Sequence, residues 1–373
     1  MHIAPFVTEQ FFALYEFNTP HLLSCSDCET MSIQELLSLA GVSLDELGAF
    51  RLPYTESQGN SELRAAIAGT HNAVDPDHVV ILGTPVEGIY LTMRTLLEPE
   101  DEVIALMPAY DALNNVAEHI CGMVREWRIR PTEEGSGWTL NLDELRGLIN
   151  ARTKLLIVNF PHNPTGYHPT LEQFDEIIAI TREHGLWLFC DEMYRGLELS
   201  DTQRLPSAVE RYEKAIVLAG LSKSQGLPGL RAGWLIIPDA DTREALINWK
   251  HYTSICPPGP IEFLATAALK VNEELMARNR ALISENLRLA QSFFERWQSR
   301  FTWRPPQAGS IALVGVNVPS ATDYCHHLAK DAGILLLPGS CLGASDQEVR
   351  FGFGRQNFAD ALEFYDEFLM TDG

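Results

Sequence analysis

LLIVNFPHNPTGYHPTLEQFDEIIAITREHGLWLFCDEMY, residues 155–194, holds two short apolar runs with an amphipathic stretch between them. Leu155–Asn159 and Leu186–Cys190 show no polar alternation, as in strands buried on both faces. Leu171–His184 spaces its apolar residues as a helix does, so the unit reads strand, helix, strand with the strands parallel. Working outward, Val79–Leu82, Val103–Leu106, Ala215–Leu218 and Gly233–Ile237 are further apolar runs, and Leu142–Asn150 is a further helical pattern. Met123–Ile129 alternates less cleanly and is another candidate strand. The expected fold is α/β, with a mostly parallel seven-stranded sheet in a large domain over residues 45–258.

From about Ile261 the pattern changes. A long helical stretch to about Arg300 leads to Ile311–Val318, a helix near Asp323–Ala332, then Ile334–Leu337 and a last helix near Asn357–Met370. These predict a smaller α+β domain of residues 259–373, joined by residues 1–44, with Pro257-Pro258-Gly259-Pro260 at the junction.

Composition narrows the function classes. The 373 residues carry 28 Lys+Arg against 50 Asp+Glu, a formal charge of −22 with histidine neutral. That excess repels phosphate backbones and anionic lipid, so neither nucleic acid nor a membrane surface is expected as partner. No apolar run approaches a membrane span, and the opening MHIAPFVTEQFF does not read as a signal peptide. A cytoplasmic enzyme is expected. The seven cysteines are scattered and odd in number, unlike a disulfide framework. Cys25 and Cys28 form a C-x-x-C pair, but no second pair completes a zinc set, so no metal is expected.

In an open parallel sheet, ligands sit beyond the carboxyl ends of the strands. Three such ends carry more polar residues than a structural sheet needs: Asn159 to Gly166, Asp191-Glu192-Met193-Tyr194, and Ala219-Gly220-Leu221-Ser222-Lys223 with Arg231 eight residues on. Each has a bland reading as turn, helix cap or surface loop. Their joint occurrence in this order is more specific.

The combination resembles the fold-type I pyridoxal-phosphate enzymes, and within them the class I/II aminotransferases. It is carried by Asn163-Pro164-Thr165-Gly166, Asp191 to Tyr194, Ser222-Lys223, Gly229-Leu230-Arg231-Ala232-Gly233 and Arg350, and supported by Tyr54, Pro108-Ala109-Tyr110 and Pro338-Gly339. The resemblance implies pyridoxal 5'-phosphate held as an aldimine on Lys223, whose amine also moves the α-proton. It implies that Asp191 keeps the pyridine nitrogen protonated and that Asn163 and Tyr194 donate to the ring's phenolic oxygen. Tyr110 would stack on the ring, Ser222 and Arg231 would hold the phosphate, and Arg350, with Asn163, would grip the substrate α-carboxylate. Tyr54 would reach the phosphate of a neighbouring subunit, implying a homodimer.

The chain departs from that pattern in places. The phosphate turn reads Gly83-Thr84-Pro85-Val86-Glu87, where Thr84 and Glu87 look like a capping box and Pro85 lacks an N–H. Thr84 and the amides of Val86 and Glu87 remain as phosphate contacts at a helix N-terminus. Gly220 stands where a hydroxyl residue is common, and Leu23 to Asp27 lack a glycine often found near the substrate. The leading expectation is transamination between an α-amino acid and a 2-oxo acid. An alternative keeps the cofactor but eliminates, replaces or cyclises at the β or γ carbon, because VNFPHNPTG and LSKSQGLPGLRAGW resemble the capreomycidine synthase type. A third, from another class, is a catalytically silent binding protein on the same scaffold. Neither H-E-x-x-H nor a phosphate-binding G-x-x-x-x-G-K-[ST] occurs, and Gly352-Phe353-Gly354 lacks the third glycine of a dinucleotide fingerprint.

Overall fold

The computed structural model describes residues 3–199 and 204–371. The strands of its two main sheets are numbered β1 to β11 along the chain. The large sheet comprises β1 (Val79–Leu82), β2 (Glu102–Met107), β3 (Val124–Arg128), β4 (Thr153–Asn159), β5 (Trp187–Asp191), β6 (Ala215–Gly220) and β7 (Gly233–Ile236). Their spatial order is β1-β7-β6-β5-β4-β2-β3. All neighbours run parallel except β7, which is antiparallel to both β1 and β6.

Successive strand residues point to opposite faces, and both faces are covered. Val80, Leu82, Val103, Ala105, Leu155 and Ile157 enter one core. Val79, Ile81, Ile104, Leu106, Leu156 and Val158 enter the other. This two-sided burial is why the strands read as unbroken apolar runs. The connecting helix Leu171–Glu183 starts where Thr170 and Gln173 form a reciprocal capping box.

A second sheet holds β8 (Phe301–Thr302), β9 (Ile311–Val316), β10 (Leu337–Pro338) and β11 (Glu348–Gly352), in the antiparallel order β8-β9-β11-β10. A third core surrounds it and includes Phe11, Tyr15, Leu23 and Cys28 from the N-terminal segment. That segment is tied on by a short parallel pairing of His21–Leu22 with Ile334–Leu335.

Two local expectations differ from what is observed. The helical pattern after residue 258 is two helices, Gly259–Lys270 and Asn272–Arg296, interrupted at Val271. The first begins two residues earlier than its apolar pattern, because Pro260 in the opening turn gives up an N–H that has no helical partner anyway. Leu264, Ala265, Ala267 and Ala268 of that helix, with Leu36 and Leu37 near the N-terminus, pack into a large-sheet core. The Asn272–Arg296 helix crosses between cores, with Leu275 on the large-sheet side and Ile283, Ala290 and Phe293 around the small sheet.

Gly352 and Gly354 also acquire a role distinct from nucleotide binding. A Cβ on Gly352 would lie 1.9 Å from the Cys25 carbonyl oxygen, and one on Gly354 would lie 2.5 Å from that of Asp27. The missing side chains let the Leu23–Cys28 segment cross directly over the end of β11.

Candidate active site

The register of the large sheet aligns Asn159 with Asp191 and Asp191 with Leu218. Three carboxyl-end loops therefore meet. Asn159 joins two of them: its Nδ2 donates to the Asp191 carbonyl at 2.8 Å, and its Oδ1 accepts the Asn163 N–H at 2.7 Å. The Asp191 side chain is buried, and Oδ1 accepts the Met193 N–H at 3.0 Å. Burial raises its carboxyl to about 6, offset partly by that hydrogen bond and by Lys223.

Lys223 lies just beyond β6 and is half-buried. Its Nζ donates to Ser26 Oγ at 2.7 Å. Removal from water lowers its ammonium pKa, and Asp27 opposes the shift. The next residue anchors this turn: Ser224 Oγ meets the Met193 carbonyl at 3.1 Å and that of Arg195 at 2.8 Å. The lysine loop and the Asp191–Tyr194 turn are thus one hydrogen-bonded unit.

Arg350, in β11, is brought to the same place from the small sheet. It is 2% exposed. Nη1 donates to Asn163 Oδ1 at 3.3 Å and Nη2 to the Ser24 carbonyl at 3.0 Å. The Phe12 ring centroid lies 5.6 Å from its Cζ. Tyr110 is nearby in the electrostatic sense, with its hydroxyl donating to Glu9 Oε1 at 2.8 Å. Burial and Glu9 both push the Tyr110 phenol pKa up.

The phosphate turn is rearranged relative to the expected capping box. Thr84 accepts no capping bond. Its hydroxyl instead accepts from Arg231 Nη2 at 2.9 Å. Glu87 reaches back to the Gly83 N–H at 3.0 Å rather than to Thr84, and its other oxygen accepts from Thr253 at 2.6 Å. The Glu87 N–H donates to the Thr84 carbonyl at 3.1 Å. Arg231 itself is exposed, holds a left-handed φ of 52°, and donates to the Pro228 carbonyl at 3.0 Å.

Pro85 and Gly220, separate oddities in the sequence, are one packing arrangement. A Cβ on Gly220 would meet the Ala232 carbonyl oxygen at 2.8 Å and Pro85 Cγ at 3.1 Å. One on Gly233 would meet Pro85 Cγ at 2.8 Å. No side chain, hydroxyl or otherwise, fits at 220 while that backbone and the proline ring stay in place.

Among the described residues, the buried polar atoms around this cluster that make no hydrogen bond of normal geometry include Ser222 Oγ, Tyr194 Oη and Arg350 Nε. Buried orphans of this kind are costly unless a ligand satisfies them. A hydroxyl beside Lys223, a phenol in the turn after Asp191 and an arginine facing Asn163 suit a ligand with anionic groups and an aromatic hydroxyl, as pyridoxal phosphate has. Tyr54, also expected at the site, stands apart: it is 89% exposed, and among the described residues it makes no hydrogen bond or ion pair with the cluster. Sequence reasoning missed Phe12, and it reached Ser24, Ser26 and Asp27 only as members of a segment that the resemblance puts near the substrate, with no role for any of them. Nothing local marks them, because they reach the site only by folding of the N-terminal segment.

A lysine past one strand end and a buried carboxylate at the next, on a mostly parallel seven-stranded sheet, define a fold-type I pyridoxal-phosphate enzyme. The chain belongs to the class I and II aminotransferase family, whose model matches residues 44–361. It is 29% identical over 300 residues to capreomycidine synthase of Streptomyces vinaceus, covering 80% of this chain and 75% of that protein. A PLP-dependent aminotransferase of Streptococcus suis superposes with a TM-score of 0.92 at 27% identity, covering 100% of this chain and 99% of the other. The PLP-dependent cyclase OrfR superposes with a TM-score of 0.91 at 26% identity, over 100% and 99% of the two chains. The enzyme's cofactor is accordingly pyridoxal 5'-phosphate. Among the described residues no helix is long and apolar enough to cross a membrane.

Proposed function

We propose that the enzyme transfers the amino group of an α-amino acid to a 2-oxo acid, using Lys223 both to hold the cofactor and to move the α-proton. The observation that carries this reading is the convergence of Lys223, Asp191, Asn163 and Arg350 from four distant parts of the chain. Bound pyridoxal phosphate supplies the electron sink that makes the substrate α-hydrogen acidic.

The chain's own groups do the rest. The Asp191 carboxylate keeps a proton on the pyridine nitrogen, and its burial makes that pairing strong. Asn163 and Tyr194 orient the ring through its hydroxyl oxygen, and Tyr110 covers one face. Arg231, Ser222, Thr84 and the amides of Val86 and Glu87 hold the phosphate. Because the Glu87 amide already has a carbonyl partner, Arg231 and Ser222 carry more of that load. Arg350, steadied by Asn163, takes the α-carboxylate and thereby fixes the α-carbon near Lys223. The lowered ammonium pKa of Lys223 makes the neutral amine, the proton-accepting form, easier to reach.

We further read the active form as a cytoplasmic homodimer in which Tyr54 reaches the partner's phosphate site. Its 89% exposure, beside Leu52 at 80%, supports an interface there. Residues 45–258 would form the cofactor-binding domain, and residues 1–44 with 259–373 the smaller one, although the packing of Gly259–Lys270 on the large-sheet core favours a hinge nearer Val271.

Incubating holoenzyme with a panel of amino acids and 2-oxo acids tests the reaction. Stoichiometric appearance of a new amino acid and a new 2-oxo acid is expected. Likeness to a cyclase favours one alternative, in which a cyclised amino acid appears without any 2-oxo acid, or an elimination releases ammonia and a 2-oxo acid without aminating a second one. Arg231→Ala should weaken cofactor binding at least about tenfold, since a charged hydrogen bond is worth roughly 1.5 to 3 kcal/mol. Titration of apoenzyme, followed by the visible absorption of the bound cofactor, measures this; parental affinity would remove Arg231 from the phosphate site.

A further inference from the structure

The Val7–Tyr15 helix and its cap Glu16 lay one face across the site. Glu9, Phe12 and Glu16 are three and four residues apart and so share that face. Phe12 covers the Arg350 guanidinium at 5.6 Å, and Glu9 accepts from the Tyr110 hydroxyl. Glu16 is half-buried within electrostatic reach of Lys223, Asp27, Glu9 and Arg355.

The charges around this face do not balance. Asp27 is matched by Arg355, whose Nη2 lies 3.1 and 2.9 Å from its two carboxylate oxygens. Glu29 accepts the Gln356 N–H at 2.9 Å. Glu9 has one neutral donor. The Glu16 carboxylate has no hydrogen bond or ion pair among the described residues, although burial, Asp27 and Glu9 all disfavour its charged form. The cations that remain, Lys223 and Arg350, are committed to the cofactor and the α-carboxylate. The excess charge on this helix face is therefore negative.

We infer that Glu16, assisted by Glu9, selects an α-amino acid whose side chain ends in a cation, a guanidinium or an ammonium. The inference rests on the reading of Arg350 as the α-carboxylate ligand. A side-chain carboxylate would face two acidic groups, and an apolar side chain would strip water from Glu16 without replacing it. Glu9 and Glu16 are seven residues apart, about 10 Å along the helix axis, with Phe12 over Arg350 between them. A substrate anchored at Arg350 reaches either carboxylate only through several methylenes, so the long basic amino acids fit and short ones do not.

Titration calorimetry and absorption titration of holoenzyme with L-arginine, L-lysine, L-ornithine, L-norleucine and L-glutamate test this, alongside initial rates. At least one basic amino acid should bind ten times or more tighter than norleucine. Glu16→Gln should cut the ratio of basic to norleucine affinity at least tenfold and raise KM for the basic substrate more than it lowers kcat. Glu16→Asp should restore part of the preference, and cofactor absorption should confirm that the variants stay loaded. Equal or tighter binding of norleucine or glutamate, or an equal loss for all ligands in Glu16→Gln, overturns the inference while leaving the transaminase reading intact. Failure of every amino acid to bind overturns both.

Discussion

Lys223→Ala enzyme should lose turnover by a factor of about 10² to 10⁴, the range attached to a positioned proton-transfer group, with a further loss from the missing covalent attachment. Its fold should survive. Lys223 is half-buried and its amine makes a single hydrogen bond, to Ser26, so the substitution removes one contact and also one poorly solvated ammonium. The anchoring contacts of the loop belong to Ser224 and are untouched. Borohydride reduction of the wild-type holoenzyme followed by peptide mapping should place the pyridoxyl group on Lys223. Label on any other lysine, or a Lys223→Ala protein with more than about a tenth of the parental rate, would remove this residue from its role.

Asp191→Asn should separate function from stability. Loss of a buried charge pairing with the pyridine nitrogen is worth on the order of 3 kcal/mol, about a hundredfold in rate. Stability of the cofactor-free protein should move the other way. Burial holds the Asp191 carboxyl at about 6 against an ordinary 3.8, so its ionised form is disfavoured in the native state. The cost is absent below pH 4, grows between pH 4 and 6, and is full above that, where it amounts to about 3 kcal/mol. Apo Asp191→Asn should therefore melt higher than apo wild type at pH 7.5 and equally near pH 3.5. Cofactor-loaded proteins should show a smaller gain or a reversal. An apo variant less stable than the parent at pH 7.5 would mean that the carboxylate is structural, and a near-native rate would end its catalytic assignment.

The two-sided burial of the large sheet was legible because it acts residue by residue. Leu155, Leu156, Ile157 and Val158 each meet an apolar neighbour on whichever face they point to, so the chain itself is unbroken apolar there. That Asp191, Asn163 and Lys223 lie at or within four residues of strand ends was legible because a polar cluster closing such a strand is conspicuous. Reading failed where local patterns had two partners to choose from. Thr84 and Glu87 have the spacing of a capping box, yet Arg231 takes the threonine hydroxyl and Thr253 shares the glutamate, both from distant segments. The helical pattern after residue 258 showed no local reason to stop at Val271, because its break is where the chain passes from one core to another.

By itself, then, the sequence determined the strand–helix alternation, the family and the residues at the strand ends, all consequences of periodicities and turns within a few positions. Only the tertiary structure decided which other groups complete the site. Ser26 meets Lys223 across 197 residues and Ser24 meets Arg350 across 326. Glycine at 220 is explained by a proline at 85 and a carbonyl at 232. Such pairings leave no trace in local spacing, since a hydroxyl, a carboxylate or a missing Cβ looks the same in the chain whatever it will later touch. Contact at that separation is set by packing of the two sheets and by where the N-terminal helix comes to rest on them.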